Sequence, residues 1–216
     1  MTPRLIVFDF DGTIADTPQT VFAIVNRLAE EFNYPALSAA QILTLQGLSS
    51  REIVRQADVS MLKLPFLLRR VKQELNREIS SIQPISGMEA ALQELKAQGY
   101  RLGILTSNRQ DSVTTFLATN NLQNIFEFID SDVTLFGKHR KIRRLLRLNR
   151  LNPQEFVYVG DETRDIEAAQ KSKVWAIAVG WGFNAPALLA RYNPDNLVTT
   201  PPALVAAIAQ LTHLEN

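Results

Sequence analysis

The chain has 216 residues, which is enough for one well-buried domain with a modest insertion but not for several independent domains. Its formal net charge is +1, from 23 basic and 22 acidic residues, so no global field attracts nucleic acid or an anionic membrane. There is no cysteine, which excludes disulfides, thiolate nucleophiles and thiolate-ligated metal centres. We therefore expect a catalytic site that uses oxygen and hard-metal chemistry.

The amino-terminal segment carries no predicted targeting signal. Its apolar run is short and interrupted by acids, and no small-residue cleavage site follows it. The chain contains no uninterrupted apolar stretch of about 18 residues, the minimum for a helix that spans a membrane. We therefore expect a cytoplasmic protein with no membrane partner.

Five short apolar runs, rich in β-branched residues, predict strands. Helical patterns separate them, such as those over residues 88–98 and 142–148. Strands that alternate with helices predict an α/β fold with a doubly wound, Rossmann-like parallel sheet. The predicted strands cover residues 4–8, 101–105, 126–129, 156–159 and 174–179.

One stretch breaks this alternation. Between residues 16 and 83 the patterns are helical and no convincing strand occurs. Proline and glycine then mark a turn at residues 83–87. We therefore predict an α/β core over residues 1–15 and 84–216 and an inserted α-helical cap over residues 16–83. The predicted cap helices cover residues 20–32, 38–45, 49–57 and 62–80.

Two carboxylates, two residues apart, follow the first predicted strand. Asp9 and Asp11 lie in the sequence DFDGT, where Gly12 allows the backbone to turn sharply. In an open parallel sheet, ligands bind at the carboxyl ends of the strands. Two acids this close repel each other unless a cation compensates, and Mg²⁺ prefers oxygen ligands. Taken alone, the pair is equally well explained by a turn with solvated acids.

A second acidic cluster follows the fourth predicted strand. Asp161 comes directly after Gly160, and Asp165 lies in the first turn of the next predicted helix. The helix dipole favours acids there, so a capped helix accounts for part of the pattern without any ligand. It does not explain why a second strand ends in an acid beside a glycine. Two such clusters can converge on one metal ion.

Groups suited to phosphate follow the second predicted strand and precede a later helix. Thr106 and Ser107 offer hydroxyl and backbone N–H groups at the strand end, although a polar helix cap explains them equally well. Lys138 stands directly after Gly137, where its charge could neutralise phosphate and a nearby carboxylate. Lys141 lies three residues further on and could reach the same region, so both lysines stay candidates, with Lys138 preferred.

Three other groups of residues each have two interpretations. Residues 138–150 contain seven basic residues and no acid, a pattern found in nucleic-acid sites, but an apolar stripe on this helix predicts a solvated basic face. Trp181 and Phe183 either border the site or pack the end of the sheet. Arg27, Arg51 and Arg55 could meet a second anionic group of a substrate, although ordinary charged helix faces explain each of them better.

Taken in order, the motifs resemble those of the haloacid dehalogenase-like hydrolase superfamily. The four motifs are DFDGT, an apolar strand ending in Thr106-Ser107, a lysine ahead of a helix, and GDxxxD from Gly160 to Asp165. The resemblance covers nearly the whole chain, and residues 16–83 resemble the small α-helical cap of that superfamily. Within it, the chain looks most like the phosphoglycolate phosphatase-like branch.

This resemblance implies a magnesium-dependent phosphatase that acts on a small phosphorylated metabolite, with phosphoglycolate as a candidate. Asp9 would attack phosphorus and form an aspartyl-phosphate that water hydrolyses. Asp11 would protonate the leaving oxygen and then deprotonate the water, and its backbone carbonyl would bind Mg²⁺. Lys138 would be the third catalytic residue, because its charge would offset that of the transferring phosphoryl group.

The resemblance assigns binding roles to the remaining motif residues. Thr106 and the backbone N–H of Ser107 would hold the phosphoryl oxygens, together with Lys138. Besides Asp9 and Asp11, the Mg²⁺ ion would be held by Asp161. Asp165 would either ligate the ion directly or orient the lysine and waters around it.

Other functions stay open to different degrees. The four motifs do not distinguish a phosphatase from a sugar-phosphate mutase. A dehalogenase is disfavoured by the presence of Asp11, and a non-catalytic binding or regulatory module by the presence of Asp9, Asp11 and Asp161. A nucleic-acid end-processing protein is disfavoured by the near-neutral net charge, so we expect no nucleic-acid partner. The sequence does not determine the oligomeric state.

Overall fold

The computed structural model describes residues 3–56, 60, 62–131 and 137–211. Within these ranges, six strands form one sheet whose neighbouring strands are all parallel, in the order β3-β2-β1-β4-β5-β6. This Rossmann-like strand order confirms the predicted fold class. The strands are β1 Leu5–Phe8, β2 Arg101–Leu105, β3 Phe128–Asp130, β4 Phe156–Gly160, β5 Trp175–Val179 and β6 Asn196–Val198.

Strand β6 was not predicted. It has only three residues, the first of which is polar, so it does not form an apolar run of its own. Its pairing with β5, in which Val198 lies opposite Val179, makes it a strand. Strand β3 begins at Phe128, two residues later than predicted.

Helices cover both faces of the sheet. In β1, Ile6 and Phe8 pack into one hydrophobic cluster, and Leu5 and Val7 pack into a second cluster on the opposite face. All four residues are fully buried, which explains why β1 reads as a continuous apolar run. The helices that follow the cap are α6 Met88–Ala97, α7 Gln110–Thr119, α8 Lys138–Asn149, α9 Thr163–Ser172, α10 Pro186–Ala190 and α11 Pro201–Leu211.

Between residues 18 and 81 the described residues form helices joined by short loops, and they contain no strand. Leu28 separates the first two helices, which the sequence predicted as one. Position 57, the last of a predicted helix, lies outside the described residues. The cap helices are α1 Pro18–Arg27, α2 Ala29–Phe32, α3 Ala39–Gln46, α4 Ser50–Gln56 and α5 Leu64–Glu78, followed by a 3₁₀ turn at Ile79–Ser81. None of the helices in the described ranges is long and apolar enough to cross a membrane.

Candidate active site

The motif residues meet because of the strand order. Strand β1 lies between β2 and β4, at the point where the order of the sheet reverses and where doubly wound folds bind ligands. Asp9, Thr106 and Asp161 each follow the carboxyl end of one of these three strands. The backbone N–H of Asp9 donates to the carbonyl oxygen of Val159 at 2.8 Å, which extends the β1–β4 pairing to the nucleophile candidate.

Three buried carboxylates converge at this edge. One oxygen from each of Asp9, Asp161 and Asp165 lies within 4.8 Å of the other two. The Asp161 carboxylate is held at both oxygens, by the Thr13 hydroxyl at 2.8 Å and by the Phe183 N–H at 2.7 Å. Burial raises the pKa of Asp161 well above its usual range, and the neighbouring carboxylates raise it further. The cluster therefore requires a positive partner or a proton, and its oxygen donors suit Mg²⁺.

Lys138 supplies one positive charge to this cluster. Its Nζ lies 2.6 Å from both Asp9 Oδ2 and Asp165 Oδ1, and its side chain is 3% exposed. Burial acts to lower the pKa of Lys138, but the charges of Asp165 and Asp9 outweigh it and hold the pKa well above its usual range. Lys141 instead pairs with Asp130 at 2.6 Å. Of the two candidate lysines, the structure thus places Lys138 in the cluster.

The Asp11 carboxylate lies beside the cluster but is not one of its three members. Both of its oxygens accept from Asn108 Nδ2 at 3.4 Å. Burial and the charge of Asp9 raise the pKa of Asp11 to about 7, although Arg164 and Lys138 lower it. A carboxyl group with this pKa can both donate and accept a proton near neutral pH.

Thr106 and Ser107 are fixed at the end of β2. The backbone N–H of Thr106 donates to the Asp130 carbonyl at 3.0 Å, and its Oγ1 accepts from the Asn108 N–H at 2.9 Å. The Thr106 hydroxyl can therefore still donate a hydrogen bond. The Ser107 carbonyl accepts from Lys72 of the cap at 3.0 Å, and within the described part of the chain the Ser107 N–H has no partner. Both groups can bind phosphoryl oxygens.

A family model described as "Haloacid dehalogenase-like hydrolase" matches residues 6–179, which include all the motif residues discussed above. The chain belongs to this family. It is a hydrolase of the haloacid dehalogenase-like type, and the predicted resemblance is confirmed.

Individual relatives of this haloacid dehalogenase-like protein match over nearly their whole length. A phosphoglycolate phosphatase from Synechococcus elongatus is 37% identical over 208 residues, which are 96% of this chain and 98% of that protein. A pyrophosphatase, PpaX, from Bacillus mycoides is 24% identical over 215 residues, or 98% and 99% of the two chains. The solved structure of a predicted phosphatase from Clostridium acetobutylicum has a TM-score of 0.81 at 19% identity, and the match covers 97% and 100% of the two chains.

The loop after β5 borders the acidic cluster of this family member. Besides the Phe183 N–H bond to Asp161, the Trp181 indole N–H donates to the Thr13 carbonyl at 3.1 Å. A Cβ atom at Gly182 would lie 2.2 Å from Asp161 Oδ2, so only glycine allows the loop to approach this closely. Phe183 thus contacts the acidic cluster through its backbone, whereas the Trp181 ring packs against the hydrophobic core, so each of the two predicted interpretations describes part of this loop.

Asn184 is a buried site residue that sequence analysis missed. Its Oδ1 accepts from the Thr163 N–H at the start of α9 at 3.0 Å, and its Nδ2 donates to the Leu48 carbonyl of the cap at 3.1 Å. Asn184 thus joins the second acidic motif to the cap. The only sequence signal for it was its place at the end of the Gly-Trp-Gly-Phe-Asn run.

Glu162 and Arg164, inside the GDxxxD motif, were also missed. Arg164 Nη2 donates to Glu162 Oε1, and the other Glu162 oxygen accepts from the Ser50 hydroxyl of the cap at 2.8 Å. The motif pattern treats these two positions as variable. It therefore gives no signal for a contact between this loop and the cap.

The charged faces of these helices are exposed to solvent, which is the interpretation that the sequence favoured. In α8 the apolar stripe is buried and most arginines point outward, as the amphipathic pattern predicts. In the cap, Arg27 pairs with Glu78 at 2.7 Å, and Arg51 pairs with Glu167 of α9 at 3.4 Å. In α8 the buried apolar residues are Ile142, Leu145 and Leu146, and the exposed arginines are Arg140, Arg143, Arg144 and Arg147.

Proposed function

We propose that this protein is a magnesium-dependent phosphatase that hydrolyses small phosphomonoesters through an aspartyl-phosphate on Asp9. The observation that carries the proposal is the position of Lys138, 2.6 Å from Asp9 within a buried cluster of three carboxylates. This arrangement combines a nucleophile, a fixed cation and oxygen ligands for a metal in one site. Three carboxylates and one ammonium carry two net negative charges, which a divalent cation would balance.

The reaction has two displacement steps at phosphorus. In the first, a carboxylate oxygen of Asp9 forms a bond to phosphorus while the bond to the leaving oxygen breaks. Asp11 gives its proton to that leaving oxygen, and its pKa of about 7 leaves a protonated fraction near neutral pH. In the second step, water attacks phosphorus, the bond to Asp9 breaks, and Asp11 takes the proton of the water.

The remaining residues stabilise the phosphoryl group. The Thr106 hydroxyl, the Ser107 N–H and the Lys138 ammonium donate to its oxygens as negative charge develops. We propose that Mg²⁺ is held by Asp9, Asp161 and the Asp11 backbone carbonyl, where its charge would offset that of the phosphoryl oxygens.

Asp165 has an orienting role in this proposal. Its Oδ1 accepts from Lys138 at 2.6 Å, and its Oδ2 accepts from the Glu162 N–H at 3.1 Å. The second bond is part of the capping box at the start of α9 and fixes the carboxylate beside Lys138. Held in this way, Asp165 aims the Lys138 ammonium at Asp9 and at the phosphoryl group.

The relatives support a small substrate with two anionic groups. The Synechococcus protein is a phosphoglycolate phosphatase, which makes 2-phosphoglycolate the first candidate, and the Bacillus protein makes pyrophosphate the second. No observation on this chain favours a sugar-phosphate mutase. The cytoplasmic location suggested by the sequence remains a prediction.

The test is phosphate release from a panel of phosphate compounds by the wild-type protein, Asp9→Asn and Asp195→Asn, with Mg²⁺ and with EDTA. The panel contains 2-phosphoglycolate, pyrophosphate, sugar phosphates and nucleotides. We expect Mg²⁺-dependent turnover that Asp9→Asn lowers by at least about 10⁴-fold. Asp195 caps the opposite end of the sheet, where its carboxylate accepts from the Ala176 N–H, so Asp195→Asn should retain activity.

Two results would contradict the proposal. Turnover retained in Asp9→Asn would exclude Asp9 as the nucleophile. Absence of turnover on every ester, with folded protein and demonstrated Mg²⁺ binding, would favour a mutase or a non-catalytic binder. Interconversion of sugar phosphates in the same samples would then identify the mutase.

A further inference from the structure

A buried tyrosine lies beneath the Asp9–Lys138 ion pair, and the proposed reaction gives it no role. Tyr158 is in β4 and is 1% exposed. It pairs in register with Val7 of β1, and both side chains pack into the same hydrophobic cluster. Asp9 lies two residues after Val7, so its side chain leaves β1 on the face that Tyr158 occupies.

The Lys138 ammonium contacts both parts of this tyrosine. Its Nζ lies 5.6 Å from the centre of the ring, within the range over which the face of an aromatic ring attracts a cation. Burial raises the pKa of the Tyr158 hydroxyl well above its usual range, although the charge of Lys138 and a hydrogen bond with Lys138 act in the opposite direction. The hydroxyl is therefore protonated, and its oxygen accepts from the ammonium.

The sheet holds the Tyr158 hydroxyl in place. The hydroxyl donates to the Leu105 carbonyl at 3.4 Å, at the carboxyl end of β2. Strand β1 lies between β4 and β2, so the side chain crosses the face of β1 to make this bond. Leu105 directly precedes Thr106, the proposed phosphate-binding residue. Tyr158 thus spans the three strands whose ends carry the site.

Two acceptors on fixed elements hold the Lys138 ammonium from different sides. An ammonium group has three N–H donors. Asp165 in the first turn of α9 accepts one of them at 2.6 Å, and Tyr158 in β4 accepts another. A single acceptor would leave the ammonium free to turn about that bond. The second acceptor sets the direction of the remaining donor, and Asp9 Oδ2 lies 2.6 Å from Nζ.

We propose that Tyr158 is a positioning residue, which together with Asp165 holds the Lys138 ammonium against Asp9 and the transferring phosphoryl group. The proposal rests on the proposed function, because it takes Asp9 as the reacting group. Tyr158 acts through Lys138 alone. Its hydroxyl should therefore matter for kcat and not for KM, because a fixed cation is needed where negative charge develops in the transition state.

The first test is a double-mutant cycle on Mg²⁺-dependent phosphate release. Tyr158→Phe removes the hydroxyl, keeps the ring and should fold. We expect it to lower kcat by about 5- to 30-fold and to change KM by less than about threefold. In Lys138→Met the same substitution should change kcat by less than about twofold, because the group that it positions is gone. Tyr192→Phe is the matched control, from a partly buried tyrosine that packs against the same cluster, and should retain kcat.

The second test depends neither on turnover nor on the folding of Lys138→Met. Ammonium protons that are buried and hydrogen-bonded exchange slowly with water and give a signal in ¹H–¹⁵N NMR spectra selective for lysine side chains. The signal that Lys138→Arg removes is assigned to Lys138. We expect Tyr158→Phe to speed the exchange of these protons by at least about fivefold, and Tyr192→Phe to leave it unchanged.

Four results would overturn the assignment. They are an unchanged kcat in Tyr158→Phe, an equal fall of kcat with and without Lys138, a wild type that gives no Lys138 signal, and a proton exchange that Tyr158→Phe leaves unchanged. The second of these would make Tyr158 a structural residue. Failure of the proposed function is distinguishable, because faster exchange in Tyr158→Phe without wild-type turnover on any ester would retain the hold on Lys138 and reject the catalytic mechanism.

Discussion

The central strands of the sheet and the cap helices α3 and α4 bury their side chains to very different extents. Every residue of β1 and β4 is buried, and the site carboxylates Asp9 and Asp161 extend directly from these strands. In the cap, none of the described residues in helices α3 and α4 is buried, and Leu43 of α3 is 69% exposed. The groups proposed for chemistry are thus anchored in the best-packed part of the molecule.

Polar contacts join the cap to the site. The Ser50 hydroxyl donates to Glu162, the Lys72 ammonium donates to the Ser107 carbonyl, and Asn184 donates to the Leu48 carbonyl. When one of these hydrogen bonds breaks, water takes the place of the lost partner. Each bond therefore contributes only about 0.5–1.5 kcal/mol to the attachment of the cap. Under the proposed function, we expect the core to determine the reaction and the cap to adjust substrate access at small energetic cost.

Among the substitutions that compare the core with the cap, Lys138→Met should have the largest effect. Removing one partner of a buried ion pair leaves Asp9 and Asp165 uncompensated, so the free energy of unfolding should fall by about 3–5 kcal/mol. The kcat for phosphate release should fall by about 10²–10³-fold, because the phosphoryl group loses a fixed cation. Lys141→Met is the matched control. Its partly exposed pair with Asp130 should contribute at most about 1 kcal/mol, and equal effects of both substitutions would contradict the assignment.

The next largest effect should come from a substitution in the packed core, and the same substitution in the cap should have little effect. Leu92 of α6 is fully buried, so Leu92→Ala should lower the free energy of unfolding by about 2–5 kcal/mol. Leu43→Ala removes an exposed side chain and should change it by no more than about 0.5 kcal/mol. Urea denaturation of both variants measures the difference. A large loss from Leu43→Ala would show that this face of the cap is covered in solution.

The raised pKa of Asp11 predicts a pH dependence of stability in the absence of metal. An unfolded Asp titrates near 3.9, whereas folded Asp11 titrates at about 7, so the folded protein holds an extra proton between these values. The resulting contribution to stability is present below about pH 4 and is lost as the pH rises to about 7. We expect a loss on the order of 2 kcal/mol from this group, which is partly exposed.

Urea denaturation in EDTA between pH 4 and 7.5, for the wild type and Asp11→Asn, measures this component. Stability of the wild type should decline more steeply with rising pH than that of Asp11→Asn. Parallel profiles for the two proteins would show that Asp11 keeps its ordinary pKa in the folded state.

The smallest effect should come from Ser50→Ala, which removes the hydrogen bond from the cap to Glu162. The KM for the preferred ester should rise by about two- to tenfold, because the contact between the cap and the Glu162 loop loses one bond. The free energy of unfolding should change by less than about 1 kcal/mol. Ser81→Ala, on an exposed turn remote in sequence from the motifs, is the control. A KM unchanged by Ser50→Ala would show that this contact does not assist substrate binding.

Local patterns predicted most of the fold because they reflect burial directly. The apolar run of β1 is continuous since both of its faces are covered, and the stripe on α8 follows the period of a helix. The short strand β6 lacked such a pattern, because only its pairing with β5 defines it. Residues recognised through spacing, such as Asp9 and Asp161, were named without the structure. Asn184 and Arg164 belong to no such pattern and were missed.

The sequence by itself determined the fold class, the helical stretch between the first and second strands, and the acids and hydroxyls that end the strands. These features depend on neighbours within a few residues, so they can be read along the chain. Only the tertiary structure decided that Lys138 rather than Lys141 contacts Asp9, and that Glu162 and Asn184 meet the cap. Those contacts depend on the direction in which a side chain leaves its helix or loop and on segments distant in sequence, and packing alone sets both.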